Sequence, residues 1–281
     1  MHTNVNTLFD NLWQDYVAIT PSAQKIHALL DAYETKNDEG KHSSVKAQII
    51  NDHIALRTFN IAKINLQKLA AHFLALGYSD KGDYVFEQKK LVAKHFEHPD
   101  DRLPKVFISE LLVEEMPEDV QSIIFKMVDS IADDAAEQDN FLYSGAHWKI
   151  SEQDYTTLVA ESEYAAWMSV WGFRANHFTV SVNHLSHFTE LADLNSALTQ
   201  AGFVLNQSGG EIKGGPEVLL AQSSTMADKF TVQLSDTEKS VPSCFYEFAQ
   251  RYAMADGSLY RGFVAASADK IFESTNASIT M

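Results

Sequence analysis

The sequence predicts an α+β fold in which two βαβββ modules form one mixed sheet around a metal cleft, with helices ahead of the first module and a helical insertion between the two. Three observations carry that reading. The order strand, helix, three strands occurs twice; each first strand opens with a histidine preceded by Asp or Asn, Asp52-His53 and Asn176-His177; and each module helix ends in glycine and an aromatic residue. Gly77-Tyr78 follows His53 by 24 residues and Gly202-Phe203 follows His177 by 25, each glycine standing where a left-handed helix cap is needed.

From Thr7 to Glu34, apolar residues recur at spacings of three and four (Leu8, Leu12, Tyr16; Ile26, Leu29, Leu30, Tyr33), with Pro21 between them, which predicts two amphipathic helices within an N-terminal segment 1–47. A polar, turn-like stretch at 37–44 separates them from the first module, residues 48–116. That module reads as a strand (DHIALRTF), a helix (NLQKLAAHFLALGY) and three strands (DYVFEQK, KLVAKHFEH, KVFISELLVEE). Residues 117–172 carry helical periodicity and form the insertion. The second module, 173–281 with its tail, repeats the order: NHFTVSVN, the helix FTELADLNSALTQAGF, a Gly-rich turn (SGGEIKGG), then VLLAQSS, KFTVQLS and SCFYEFAQR. Neither module suffices alone, so all 281 residues are expected to make one domain.

Composition limits the function classes. Twenty-two basic against 38 acidic residues give a net charge of −16, and no basic run could grip a phosphate backbone, so nucleic acid is not an expected partner. One cysteine, Cys244, excludes an internal disulfide and a thiolate zinc cluster, and fits a reducing compartment, by default the cytoplasm. No stretch is long and apolar enough for a membrane span, and no secretory signal pattern is visible.

The chemistry lies in the strands. A period of two places His53, Ala55 and Arg57 on one face, His177, Thr179 and Ser181 on another, and Phe245, Glu247 and Ala249 on a third. If those faces converge, His53, His177 and Glu247 form a two-histidine, one-carboxylate set that leaves open positions on a divalent metal, the arrangement of non-haem Fe(II) oxygenases, with room for a bidentate 2-oxo acid and O2. Arg57, about 13 Å along the strand from His53, offers a fork suited to a second carboxylate. Glu110, on the last strand of the first module, is a further ligand candidate; a His, Glu, His, Glu set would instead suit a glyoxalase-like lyase or isomerase. A non-catalytic binding protein on the same scaffold is the third reading. The pairs His95/His98 and His184/His187 sit three residues apart, point to opposite faces in extended chain, and read as surface. The Gly-rich SGGEIKGGPE lacks the lysine-serine ending of a phosphate loop and reads as a lid or a hairpin turn.

The stretches DHIALRTF, SEYAAWMSVWGFRANHFTVSVN, LLAQSSTMAD, SCFYEFAQR and GFVAASADKIFEST together resemble the 2-oxoadipate dioxygenase/decarboxylase (2-hydroxyglutarate synthase) family. The resemblance implies a fold similar to the vicinal oxygen chelate superfamily, Fe(II) on His53, His177 and Glu247, and Arg57 on the substrate's far carboxylate. It implies oxidation of 2-oxoadipate by O2 to 2-hydroxyglutarate and CO2, a step of lysine catabolism needing no external 2-oxoglutarate. The chain is shorter than better-studied members look, which leaves the length of the 2-oxo acid open.

Overall fold

The computed structural model describes residues 4–34 and 49–276; the polar stretch 37–44 lies outside them. Helices α1 (Val5–Ile19) and α2 (Pro21–Glu34) form as the periodicity predicts. Asn4 caps α1 by accepting from the backbone N–H groups of Asn6 and Thr7, and Pro21 opens α2, where its missing N–H costs no hydrogen bond. Leu8, Leu12 and Tyr16, one turn apart, are buried against the sheet, and the Tyr16 hydroxyl donates to the Phe245 carbonyl.

The first module comprises β1 (Asn51–Phe59), α3 (Leu66–Leu74), β2 (Ser79–Phe86), β3 (Leu91–Glu97) and β4 (Lys105–Leu111). The insertion contributes α4 (Glu118–Asp129), α5 (Glu152–Glu161) and α6 (Glu163–Trp171). The second module comprises β5 (Ala175–Ser181), α7 (Leu191–Gln200), β6 (Lys213–Gly215), β7 (Leu220–Ser224), the pair β8 (Lys229–Gln233) and β9 (Glu238–Pro242), then β10 (Phe245–Arg251), followed by α8 (Ala265–Ile271) and a 3-10 turn at Phe272–Thr275.

Eight strands make one mixed sheet in the order β2-β3-β4-β1-β5-β10-β7-β6. The order is symmetric about its centre: β1 runs parallel to β4, β5 runs parallel to β10, and β1 meets β5 antiparallel with His53 opposite Thr179 and Ala55 opposite His177. Duplication therefore brings both histidine strands to the middle, where neither has a free edge and every residue of β5 is buried. This is the α+β architecture of paired βαβββ modules.

One strand assignment is corrected. KFTVQ, read as a sheet strand of the second module, pairs instead with β9 in a separate two-stranded ribbon. The outer strand of the second module's half of the main sheet is β6, drawn from the Gly-rich segment whose composition suggests a lid or a hairpin turn. Three residues with two glycines show no period-two pattern, so β6 was invisible. Gly214 is needed there: its φ is +74°, and a Cβ would fall 2.3 Å from the Leu220 carbonyl oxygen.

Candidate metal centre

Registers across the central strands decide which side chains meet. Phe245 pairs with His177 and Glu247 with Thr179, which itself faces His53, so two imidazoles and one carboxylate share one surface of the sheet. His177 Nε2 lies 3.1 Å from one Glu247 oxygen and His53 Nε2 lies 3.6 Å from the other. Candidate ligand atoms of the three residues fall within 4.8 Å of one another, and they make the only such group among the described residues.

Each of the three is oriented by a neighbour. Asp52 Oδ1 sits 2.8 Å from His53 Nδ1, and Asn176 Oδ1 sits 3.1 Å from His177 Nδ1. Occupying Nδ1 in this way fixes the tautomer that leaves Nε2 free to bind a metal. Asp52 is in turn clamped by Arg251, whose Nε and Nη2 donate to it at 2.6 and 2.8 Å. Gln222 Nε2 donates to Glu247 Oε1 at 2.6 Å, and the Thr179 hydroxyl lies 3.1 Å from His53 Nε2.

Burial strips these donors of charge. It pushes Glu247 up to about 8 against the Gln222 hydrogen bond, holds His177 well below the usual imidazole range, and lowers His53 in spite of Asp52. Glu247 is fully buried, yet its Oε2 makes no hydrogen bond among the described residues. A carboxylate oxygen in that position is costly unless a cation satisfies it. Two imidazoles and one carboxylate suit a divalent transition metal, so the residues present fit Fe(II).

The surrounding cavity is small, about 20 Å3, walled by Phe107, Gln222 and Phe263 and roofed by Ala268, Ile271 and Phe272 of the C-terminal segment. Phe263 stacks edge-on against His53 with centroids 4.8 Å apart.

Arg57 is 1% exposed and already engaged. Its Nη1 donates to Glu163 at 3.0 Å and its Nη2 to the Thr275 hydroxyl at 3.1 Å, and Thr275 also donates to Glu163. The rings of Tyr164, Trp167 and Phe272 enclose the guanidinium at 4.8 to 5.5 Å, while its Nε has no partner among the described residues. Phe272 therefore lies against both Arg57 and the cavity.

Glu110 does not join the group. With His53 and His177 matched, the register makes Phe107 the counterpart of Glu247 and Gln250 the counterpart of Glu110. Both counterparts of the second pair do the same work: Glu110 Oε2 accepts from the Leu66 N–H at 2.7 Å and Gln250 Oε1 from the Leu191 N–H at 2.9 Å, each at the first residue of its module's helix. Glu110 is a helix cap reached from a neighbouring strand.

His95 is also corrected: it is buried, bonded to the Tyr84 hydroxyl and to Glu97, which holds Arg261. Its position opposite Phe107 turns it toward the cavity wall, a consequence of pairing that its own spacing from His98 does not reveal. His184 and His187 are exposed, as read. The helpers Gln222, Arg251, Glu163 and Thr275 escaped the sequence reading. Asp52 and Asn176 were visible as marks of the repeat, and that symmetry was the one available signal of their role.

A family model for 2-oxoadipate dioxygenase/decarboxylase matches residues 8–258. The chain is 36% identical over 260 residues to a chloroplastic 2-oxoadipate dioxygenase/decarboxylase of Arabidopsis thaliana, covering 81% of this chain and 68% of the relative. Among solved structures it is similar to a Shewanella frigidimarina protein provisionally named a hydrolase (61% identity, TM-score 0.87, 95% of this chain and 100% of that one). It is similar to the hydroxyglutarate synthase of Oryza sativa in complex with 2-oxoadipate (33% identity, TM-score 0.85, 96% and 91%). A Ralstonia eutropha protein provisionally named a glyoxalase superfamily member shares the fold (19% identity, TM-score 0.68, 92% and 85%).

Proposed function

The chain belongs to the 2-oxoadipate dioxygenase/decarboxylase family, and from that premise we propose that it uses Fe(II) on His53, His177 and Glu247 to oxidise a 2-oxo diacid, 2-oxoadipate first among them. The products are a 2-hydroxy acid one carbon shorter and CO2. With 2-oxoadipate the C1–C2 bond breaks and C1 leaves as CO2; one atom of O2 completes the new carboxylate at C2 and the other enters the hydroxyl on C3, giving 2-hydroxyglutarate. The substrate supplies its own 2-oxo acid, so no second one is consumed. Such a reaction suits a place in lysine catabolism, and we propose the cytoplasm as its site although the named plant relative is chloroplastic.

The observation that carries this reading is the buried His, His, Glu group, with one Glu247 oxygen left unbonded among the described residues, in a member of this family. Iron bound there would supply Lewis acidity for the 2-oxo acid and one-electron chemistry toward O2. The protein's own part is to hold and exclude. Asp52 and Asn176 keep both imidazoles in the metal-binding tautomer, and Gln222 fixes the Glu247 carboxylate. Phe107, Phe263, Ile271 and Phe272 keep bulk water from the reacting carbons. Arg57, in its aromatic cage, takes the substrate's far carboxylate.

Oxygen uptake by protein loaded with Fe(II) under anaerobic conditions, given 2-oxoadipate and no 2-oxoglutarate, tests the proposal. Uptake matched one to one by CO2 and 2-hydroxyglutarate is the expected result. Bound metal without oxygen uptake across a series of 2-oxo acids would instead point to non-redox, glyoxalase-like chemistry.

A further inference from the structure

The guanidinium that should meet a substrate carboxylate already holds one. Arg57 is 1% exposed, whereas the Glu163 side chain paired with it is 17% exposed. Glu163, the first residue of α6, lines two cavities at the surface, the larger of about 430 Å3 and walled in part by Lys89 and Lys90. Glu163 thus stands between Arg57 and solvent. Thr275, at the end of the C-terminal segment that roofs the metal cavity, bridges Arg57 and Glu163 through its hydroxyl. The cavity under that roof, about 20 Å3, is of the order of one water, while a six-carbon diacid has roughly ten times a water's non-hydrogen atoms. Its walls must shift for such a substrate to enter.

We propose that Glu163 is a specificity-determining residue: an internal carboxylate that occupies Arg57 and is exchanged for the far carboxylate of an incoming 2-oxo diacid. The inference rests on the reading of Arg57 given above. Exchange of one carboxylate for another keeps the buried arginine paired throughout, which avoids the cost of an isolated buried charge. The displaced Glu163 turns toward water in the cavity beside Lys89 and Lys90. A 2-oxo acid without a second carboxylate offers Arg57 nothing, so the Glu163 pair persists. Glu163 acts through Arg57 and is a positioning residue in this scheme.

The test is calorimetric binding to Fe(II)-loaded protein without oxygen, comparing 2-oxoadipate with 2-oxohexanoate, the same chain lacking the far carboxylate. Glu163→Gln keeps the shape and removes the competing charge; diacid binding should tighten on the order of tenfold, with 2-oxohexanoate unchanged. In turnover the KM for the diacid should fall with kcat retained. Thr275→Val, which loosens the pair without touching either charge, should tighten the diacid in the same direction by a smaller factor. Weaker diacid binding in Glu163→Gln, or equal tightening of both ligands, would overturn the exchange. Arg57→Gln separates the two readings: if it leaves the preference for diacid over monoacid intact, the carboxylate role of Arg57 fails, and the exchange with it.

Discussion

Replacing Asp52 by Asn tests whether the pair Asp52–Arg251 orients the candidate metal centre. Asp52 is 6% exposed and accepts three hydrogen bonds: from His53 Nδ1 at 2.8 Å, Arg251 Nε at 2.6 Å and Arg251 Nη2 at 2.8 Å. Although burial alone would raise it, Arg251 and His53 hold its carboxyl well below the usual range. Asn keeps one carbonyl oxygen for His53, the arrangement that Asn176 already provides for His177. What it removes is the negative charge beside Arg251, leaving that guanidinium with the Tyr260 and Gly262 carbonyls. Breaking a buried pair costs about 3–5 kcal/mol; with two carbonyls retained, the loss should fall near the lower end. Metal affinity should drop about tenfold, the low end for loss of an outer partner of a ligand, because the histidine is still held but by a weaker acceptor. Urea unfolding of the metal-free protein gives the first quantity and chelator competition the second. Metal affinity within twofold of the parent alongside the full stability loss would show that Asp52 serves Arg251 and not His53.

Glu110→Gln should leave metal stoichiometry and stability nearly unchanged, since Gln250 performs the same capping role at α7, whereas Glu110→Ala should cost about 1 kcal/mol in urea unfolding; a change in bound metal with either variant would revive Glu110 as a ligand. Between about pH 5 and 8, the contribution of His53, His177 and Glu247 to the stability of the metal-free protein should be largest near pH 6.5. Below that the unfolded chain protonates histidines that stay neutral when folded, so stability rises with pH; from about 6.5 to about 8, folded Glu247 keeps a proton the unfolded chain has lost, so stability falls by about 2 kcal/mol. Metal displaces that proton, so its thermal stabilisation should grow across the same interval, and melting curves with and without metal in which the gain is flat with pH would contradict this. Gly172 has φ +62° and a Cβ there would lie 2.3 Å from the Gly145 carbonyl oxygen, so Gly172→Ala should lower stability by at least about 1–3 kcal/mol, measured by thermal unfolding.

The repeat was legible because it is written in local signals: a histidine after Asp or Asn, helix periodicity, and a glycine in left-handed conformation at Gly77 and Gly202. Period-two alternation then sufficed to put His53 and Arg57 on one face, and His177 and Glu247 on strands able to meet. Those features depend only on residues a few positions apart. Tertiary structure alone decided the rest, through register between strands distant in sequence. Pairing made Phe107, and not Glu110, the partner position of Glu247, and it turned His95 inward. It set Arg251 on Asp52 across 199 residues and Glu163 on Arg57 across 106. A side chain's alternation tells which way it faces within its own strand; which group it finds there is fixed by how the strands slide against one another, and that is settled by burial of the whole sheet.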